Sequence, residues 1–476
     1  MRISVFYVLN SSFYRRPLMA MRDQFDNLSP LDYRYWDEEV AQHLSENAFT
    51  RYKCRVEYAL AKTFWRRDSC STQVLDEIQH ACTTVTTNEV YEEEKRIHHD
   101  IRALVNCICR KVSDEAKRFV HLAATSYDII DTANAARYKD VVTHVLVPSL
   151  LKLESVLINH ALNYEETPQA GRTHGQHAVP ITFGFAVAGY ISRLGGSIEA
   201  LKDLSQKLVG KFSGAVGAYN ALSLLVDDPE VFEAQVLAEL GLKPAEHSTQ
   251  IVPPEPLARL LCEVTFAGGI MANLADDMRH LQRTEIGEVG EKFEEGQVGS
   301  STMPQKQNPI NFENAKSLWK AEMPRMVTVF MDQISEHQRD LTNSASARTY
   351  PEMFAYVVSM AKRLAKTMEK LQVNLANVEK NFLMQKDFVI AEPLYILLAA
   401  HGHPDAHEKV RALTLTARQK GISLQKAVNG NPEMQPYLSK MTPYQLQVLQ
   451  DLRHYNGIAA QKAASIAVEW KEKLGL

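Results

Sequence analysis

Residues 257–281 read LARLLCEVTFAGGIMANLADDMRHL, and their apolar positions Leu257, Leu260, Val264, Ala267, Met271, Leu274, Met278 and Leu281 recur every three or four residues without a breaker. That spacing lines one face of an α-helix for more than six turns of about 3.6 residues each. A second stripe, Met353, Val357, Met360, Leu364, Met368 and Leu371, repeats the pattern. Helices of this length exceed the usual ~11–12 residues and suit a bundle whose members run the height of the molecule. Pro256 stands at the expected start of the first helix, where its missing N–H breaks no hydrogen bond. Pro324 falls inside a third helical pattern, 315–336, and should kink it. Alternating strand patterns and hairpin dipeptides are scarce, so the expected fold is all-α with no substantial sheet.

The chain has 476 residues, 45% of them hydrophobic, more than one average domain of ~100–200 residues holds, so two or three domains are expected. Charged residues make up 23% and the formal net charge is −4, so neither a basic nucleic-acid face nor an acidic tail stands out. A polyanionic ligand would need a local cationic pocket. The six cysteines (Cys54, Cys70, Cys82, Cys107, Cys109, Cys262) form no CxxC pair, which points to reduced thiols rather than a disulfide framework or a zinc site. In the first twenty residues, MRISVFYVLNSSFYRRPLMA, a basic residue before an apolar stretch imitates a signal peptide, but the apolar core is only Ile3 to Leu9 and is followed by Arg15 and Arg16. They read as an N-terminal extension with the working start near Met19 or Met21. No apolar run is expected to approach the ~20 residues that cross a bilayer, so the expected protein is soluble and cytoplasmic, with no membrane and no nucleic acid among its partners.

Residues 285–308, EIGEVGEKFEEGQVGSSTMPQKQN, break the helical period and carry Gly287, Gly290, Gly296 and Gly299. Loops this long in compact proteins are usually functional, and this one is the first candidate for a lid. No GxxxxGK[ST], GxGxxG or HExxH occurs, and Ser300 in VGSSTMP lacks the GxSxG elbow of serine hydrolases. The HxxH of His174 and His177 has no obvious third ligand, and HGHPDAH (His401, His403, His407) reads as a solvated turn between helices. No metal and no cofactor are therefore expected. The clusters that remain are His98-His99-Asp100, Thr125-Ser126, THGQH at 173–177, the loop with Ser300, Lys306 and Asn308, and Arg339 with Ser344 and Arg348.

GSSTMPQKQNP, residues 299–309, resembles the GSSxMPxKxNP signature of the fumarase/aspartase superfamily at every fixed position. Further blocks resemble the adenylosuccinate lyases within it: SPLDYRYW (29–36), HHDI (98–101), HLAATSYDIIDT (121–132), GRTHGQHAVP (171–180), STQI (248–251) and HQRDLTNSASAR (337–348). The resemblance implies three helical domains, at 1–124, 125–375 and 376–476, around a long central bundle. It also implies a homotetramer whose active sites draw on three chains, and a small-molecule substrate, a succinylated purine nucleotide that loses fumarate.

Such an elimination removes a proton beside a carboxylate and breaks a C–N bond, which requires a base in contact with the proton and positive charge where the carbanion spreads. Ser300 matches the family's base. An ordinary serine hydroxyl cannot serve at neutral pH, so the loop's N–H groups and Lys306 must stabilise its ionised form. The resemblance makes His174 the general acid, Glu313 the carboxylate that orients it, and Lys306 with Asn308 the ligands of the succinyl carboxylates. His99 joins the implied catalytic set and, with Arg34, Tyr35, Arg339, Ser344 and Arg348, matches positions that contact the nucleotide. Thr125 and Ser126 match succinyl contacts, Gln250 a further substrate contact, and Asp100 is expected to brace His99. Gln305 is similar to argininosuccinate lyases, the alternative within the superfamily, and His98 has no implied role. A non-catalytic helical scaffold, the remaining alternative, would need none of Ser300, Lys306, Asn308, His174 or Glu313.

Overall fold

The computed structural model describes residues 24–296 and 299–476, so the expected extension at 1–20 lies outside the described residues. Among the described residues, these helices carry the central architecture: α1 (Glu46–Arg66), α2 (Ser126–Val141), α3 (Val147–Asn163), α4 (Phe183–Gln206), α5 (Glu255–Leu281), α6 (Ile310–Glu322), α7 (Tyr350–Glu369) and α8 (Ala459–Leu474). Both stripes read from the sequence are buried faces. In α5, Leu260, Val264, Ala267, Met271, Leu274 and Met278 are buried, and Pro256 sits in the first turn. In α7, Met353, Val357, Met360, Leu364 and Met368 are fully enclosed. Each large side chain so buried contributes about 1.5–3 kcal/mol, which the ordering of chain and side chains largely offsets.

These helices pack as a bundle in which α3 lies against α4, α7 and α8, and α5 lies against α4, α6 and α7. The last helix docks through Trp470, whose ring covers Gly195 of α4; a Cβ there would lie 2.4 Å from the indole. Main-core residues run from the N-terminal helices through the bundle and include Ala463, Ala467 and Trp470 of α8. A second core, from Phe382 to Leu452, belongs to the short helices between α7 and α8. Helix α2 passes into α3 through one widened π-turn, Val142–Leu146, ahead of Pro148, which has no N–H to give to the preceding turn.

Three expectations are corrected and one small element is added. The third helical pattern begins earlier, at Ile310, and Pro324 breaks it: α6 stops at Glu322 and a separate helix, Arg325–Met331, follows. The chain also has a β-hairpin, β1 (Pro168–Thr173) against β2 (Gln176–Thr182), with Thr173 opposite Gln176. Its tip, His174 at φ 53° and Gly175 at φ 73°, supplies the two left-handed residues of a tight hairpin without the usual Asn-Gly, and Pro168 and Pro180 disguise its strands. Two stretches, Ser126–Asn163 and Glu255–Leu281, are long and apolar enough to cross a bilayer by length and composition, because small neutral residues sit between their apolar positions. Both are core helices, more than half buried inside the chain over the apolar window. Finally, the HGHPDAH turn is only partly solvated: His403 is buried against the Tyr437 ring, while His401 Nε2 lies 3.0 Å from Gln445 Oε1.

Candidate active site

Thr125 caps the N-terminus of α2, and its backbone N–H donates to Asp128 Oδ2 at 2.8 Å. Asp128 is fully buried; its other oxygen accepts from Lys211 Nζ, also fully buried, and from the backbone N–H groups of Ser213 (3.1 Å) and Gly214 (3.3 Å). Ser213 and Ser248 hydroxyls share a hydrogen bond of 2.7 Å, and two residues on Gln250 N–H donates to Gln338 O at 3.2 Å. One buried carboxylate thus ties the Thr125-Ser126 turn to the STQI segment, and that segment reaches the HQRDL block.

Arg339 of that block lays its guanidinium 3.4 Å above the ring of Tyr127. Its Nε donates to Asp340 O at 2.8 Å, while Nη1 is buried with no hydrogen-bond partner. Burial pushes the Tyr127 phenol up, and the charges it feels are Arg339, Asp131, Asp100 and Arg348, which brings the HHDI block to the same corner. Arg348 Nε donates to Ser344 O at 3.2 Å, and both residues are exposed. His99 caps the helix Asp100–Cys109: its Nδ1 accepts the Arg102 N–H at 3.2 Å, which leaves the proton on Nε2, pointed away from the cap. Asp100, expected to brace it, lies beside it: its Oδ1 is 3.6 Å from His99 Nδ1, within ion-pair reach, and also accepts the Ile101 N–H at 2.7 Å. His98, left without a role by the sequence, ends the preceding helix in the left-handed conformation at φ 57°.

The signature forms a second corner. Ser300 Oγ accepts two backbone N–H groups, from Met303 at 3.0 Å and Thr302 at 3.3 Å, so the loop donors required for an ionised serine are in place. Asn308 Nδ2 closes the loop on Gly299 O at 2.9 Å, so this donor is engaged within the loop. Gly299 has to be glycine, since a Cβ would lie 2.0 Å from Lys306 O and 2.8 Å from the Phe293 ring. The Lys306 side chain is exposed, as is Glu313 in the first turn of α6. Tyr35 joins this corner by accepting from Asn314 Nδ2 at 3.0 Å, and with Arg34 it lines a cavity of about 790 Å³ shared with Lys292, Asn311 and Arg363.

His174 is exposed at the hairpin tip and, among the described residues, no hydrogen bond or ion pair ties it to either corner. The hairpin is anchored from beneath: Arg172 pairs with the fully buried Glu288, which also accepts from Gln169 Nε2 (2.8 Å) and Asn381 Nδ2 (2.9 Å). Among the described residues no hydrogen bond or ion pair joins His174 to Glu313 or to Ser300 within one chain. The expected His174–Glu313 partnership is therefore not made inside a single chain. Sequence reasoning missed Tyr127, Asp128, Lys211 and Glu288. The first two stood inside the TSYDIID block, where an aromatic and an aspartate in a first helical turn read as core and cap.

Comparison with known proteins bears on all three corners. A family model described as "Lyase" matches residues 14–320, and one described as "Adenylosuccinate lyase C-terminal" matches residues 335–447. The chain belongs to the adenylosuccinate lyase family. It is similar to the adenylosuccinate lyase of Pyrococcus abyssi, 37% identical over 417 residues, 86% of this chain and 92% of that protein. Another family relative, the adenylosuccinate lyase of Pyrococcus horikoshii, is 35% identical over 454 residues, 94% of this chain and 98% of that one. Among solved structures, the 3-carboxy-cis,cis-muconate lactonizing enzyme from Pseudomonas putida superposes with a TM-score of 0.83 at 25% identity, over 94% of this chain and 100% of that chain. A fumarate lyase from Mesorhizobium sp. BNC1 shares the fold, with a TM-score of 0.80 at 23% identity over 91% and 98% of the two chains. The family's C-terminal match begins at residue 335, just ahead of the HQRDL block, so the Tyr127 corner joins segments covered by both matches.

Proposed function

We propose that this chain eliminates fumarate from adenylosuccinate, leaving AMP, and that it treats succinylaminoimidazole carboxamide ribotide, which carries the same succinyl amine and ribose phosphate, in the same way. The observation that carries the reading is the Ser300 hydroxyl, held by two loop N–H groups in a chain 37% identical to an adenylosuccinate lyase. Ionised Ser300 takes the proton from the succinyl carbon next to the carboxylate. The electron pair passes through the aci-carboxylate, which Lys306 stabilises, and forms the C=C bond as the C–N bond breaks. The pair released to nitrogen takes a proton from His174. A positioned base and acid each contribute about 10²–10⁴ in rate.

In this reading Thr125 and Ser126 hold a succinyl carboxylate, Arg34, Tyr35, His99, Gln250, Arg339, Ser344 and Arg348 hold the nucleotide, and Glu313 supports His174 from a different chain. The absence of any hydrogen bond or ion pair from His174 to Ser300 or Glu313 within one chain, among the described residues, supports a homotetramer with shared sites, and its place of work in this reading is the cytoplasm. The test is direct: purified protein is mixed with adenylosuccinate and the loss of substrate absorbance is followed together with fumarate release. Fumarate and AMP in equal amounts are expected; unchanged absorbance at high enzyme concentration contradicts the assignment.

A further inference from the structure

Tyr127 stands one residue beyond Ser126 in the first turn of α2 and is half-buried. Its ring lies under the Arg339 guanidinium at 3.4 Å, closer than any other arginine-to-ring contact among the described residues, which range from 4.0 to 5.6 Å. A guanidinium flat on a ring offers its N–H groups only along its own edge, because the faces are covered. One position on that edge is taken, since Nε donates to Asp340 O at 2.8 Å. Nη1 is buried and has no acceptor. A buried cationic donor without a partner is expensive to keep, and its retention marks a place where an acceptor comes and goes. The Arg348 charge also lowers the Tyr127 phenol against the effect of burial, so a second guanidinium acts on the same corner. The carboxylates near the ring do not close the gap: Asp131 accepts the Val252 N–H at 2.9 Å and Asp100 the Ile101 N–H at 2.7 Å.

We propose that Tyr127 is a positioning residue that sets the plane of Arg339, so that its free Nη edge receives the phosphate of the substrate side-on and Tyr127 thereby contributes to the choice of nucleotides over nucleosides. The inference rests on the proposed function, and adds a residue that acts through Arg339 without touching the reacting atoms. The ring, and not the phenol, is what the role needs. Tyr127→Phe should therefore behave as wild type where Tyr127→Leu does not.

The experiment measures KM and kcat for adenylosuccinate, with inhibition by AMP and by adenosine, in wild type, Tyr127→Phe, Tyr127→Leu, Arg339→Ala and the double variant Tyr127→Leu/Arg339→Ala. Removing the platform should raise KM and the AMP inhibition constant about tenfold, within the range of cation–π effects at desolvated sites, with kcat changed less than about threefold. Adenosine inhibition should not move, Tyr127→Phe should restore both constants, and the double variant should be no worse than Arg339→Ala alone. The inference is overturned if Tyr127→Leu weakens AMP and adenosine alike, if its effect adds in full to that of Arg339→Ala, or if kcat falls while KM stays. Should circular dichroism show the leucine variant unfolded, Tyr127→Met carries the same comparisons. A wild-type enzyme with no turnover of adenylosuccinate would instead sink the proposed function, so the two failures are told apart.

Discussion

The Tyr127 corner and the signature loop are both parts of one implied site, yet they are built differently. The first is tied to the core: Thr125 hangs on Asp128, Asp128 on Lys211, and both charged groups are fully buried. The second is self-contained, with Ser300 held by its own loop, Asn308 closing on Gly299, and Lys306 and Glu313 exposed. His174 is likewise exposed at a hairpin tip. Where the chain can pre-organise a corner by itself, activity and stability are coupled. Where it presents groups outward, they can be replaced without loss of the fold.

Ser300→Ala should show the largest effect and leave the fold alone. We expect kcat to fall by about 10³-fold or more with KM changed only a few-fold and an unchanged melting temperature, since a base contributes in the transition state. Retention of more than about a tenth of wild-type kcat, a barrier change under ~1.4 kcal/mol, would remove Ser300 from the role. Asp128→Ala is the opposite case. It leaves Lys211 charged and buried, and should lower the free energy of unfolding by about 3–5 kcal/mol in denaturant titrations while also raising KM. An activity defect at full stability would show that the corner is not anchored through this pair.

Gly299→Ala opens the loop, because its Cβ cannot sit 2.0 Å from Lys306 O. A loss of about 10- to 100-fold in kcat, of the size that a misplacement near 1 Å produces, should come without a change in melting temperature. Equal kcat would mean that the loop closes differently during turnover. The last effect belongs to neither corner and leaves catalysis alone. Glu154 in α3 is fully buried, neither carboxylate oxygen has a partner, and burial alone pushes its pKa up to about 9. The folded chain keeps a proton that the unfolded chain, near the ordinary 4.5, releases. This stability is therefore full below about pH 4.5 and is lost progressively as the pH rises toward 9. Glu154→Gln should melt close to wild type at pH 5 and a few degrees higher at pH 9. A pH-independent gap would mean that Glu154 is not protonated in the fold. Glu154 meets its isolation with a proton; Arg339, always charged, needs an anion.

The helices were legible because α5 and α7 keep an unbroken apolar stripe against neighbours on one side. Pro324 was visible as an interruption, but a kink and a break differ only in whether the two segments share packing, which sequence spacing does not encode. The hairpin was hidden because its left-handed tip uses His174 where Asn-Gly would have announced the turn. Candidate site residues came one block at a time through the resemblance. What joins them was not, since Asp128–Lys211 and Tyr127–Arg339 span 83 and 212 positions along the chain and no local pattern pairs them. The same holds for Glu288 under the hairpin, an acid in the loop that reads as solvated until its partners Arg172 and Asn381 close over it.

Because no hydrogen bond or ion pair among the described residues ties His174 to the signature loop within one chain, the account's central claim, a site assembled between chains, comes within reach of one experiment. Ser300→Ala and His174→Ala enzymes, each inactive alone, are mixed in equal amounts under conditions that let subunits exchange, and turnover of adenylosuccinate is followed. If the two residues of a site come from different chains, random assembly leaves both intact in roughly a quarter of sites, and activity should return to about that fraction of wild type. No recovery, with hybrid tetramers shown to form, would contradict the shared site.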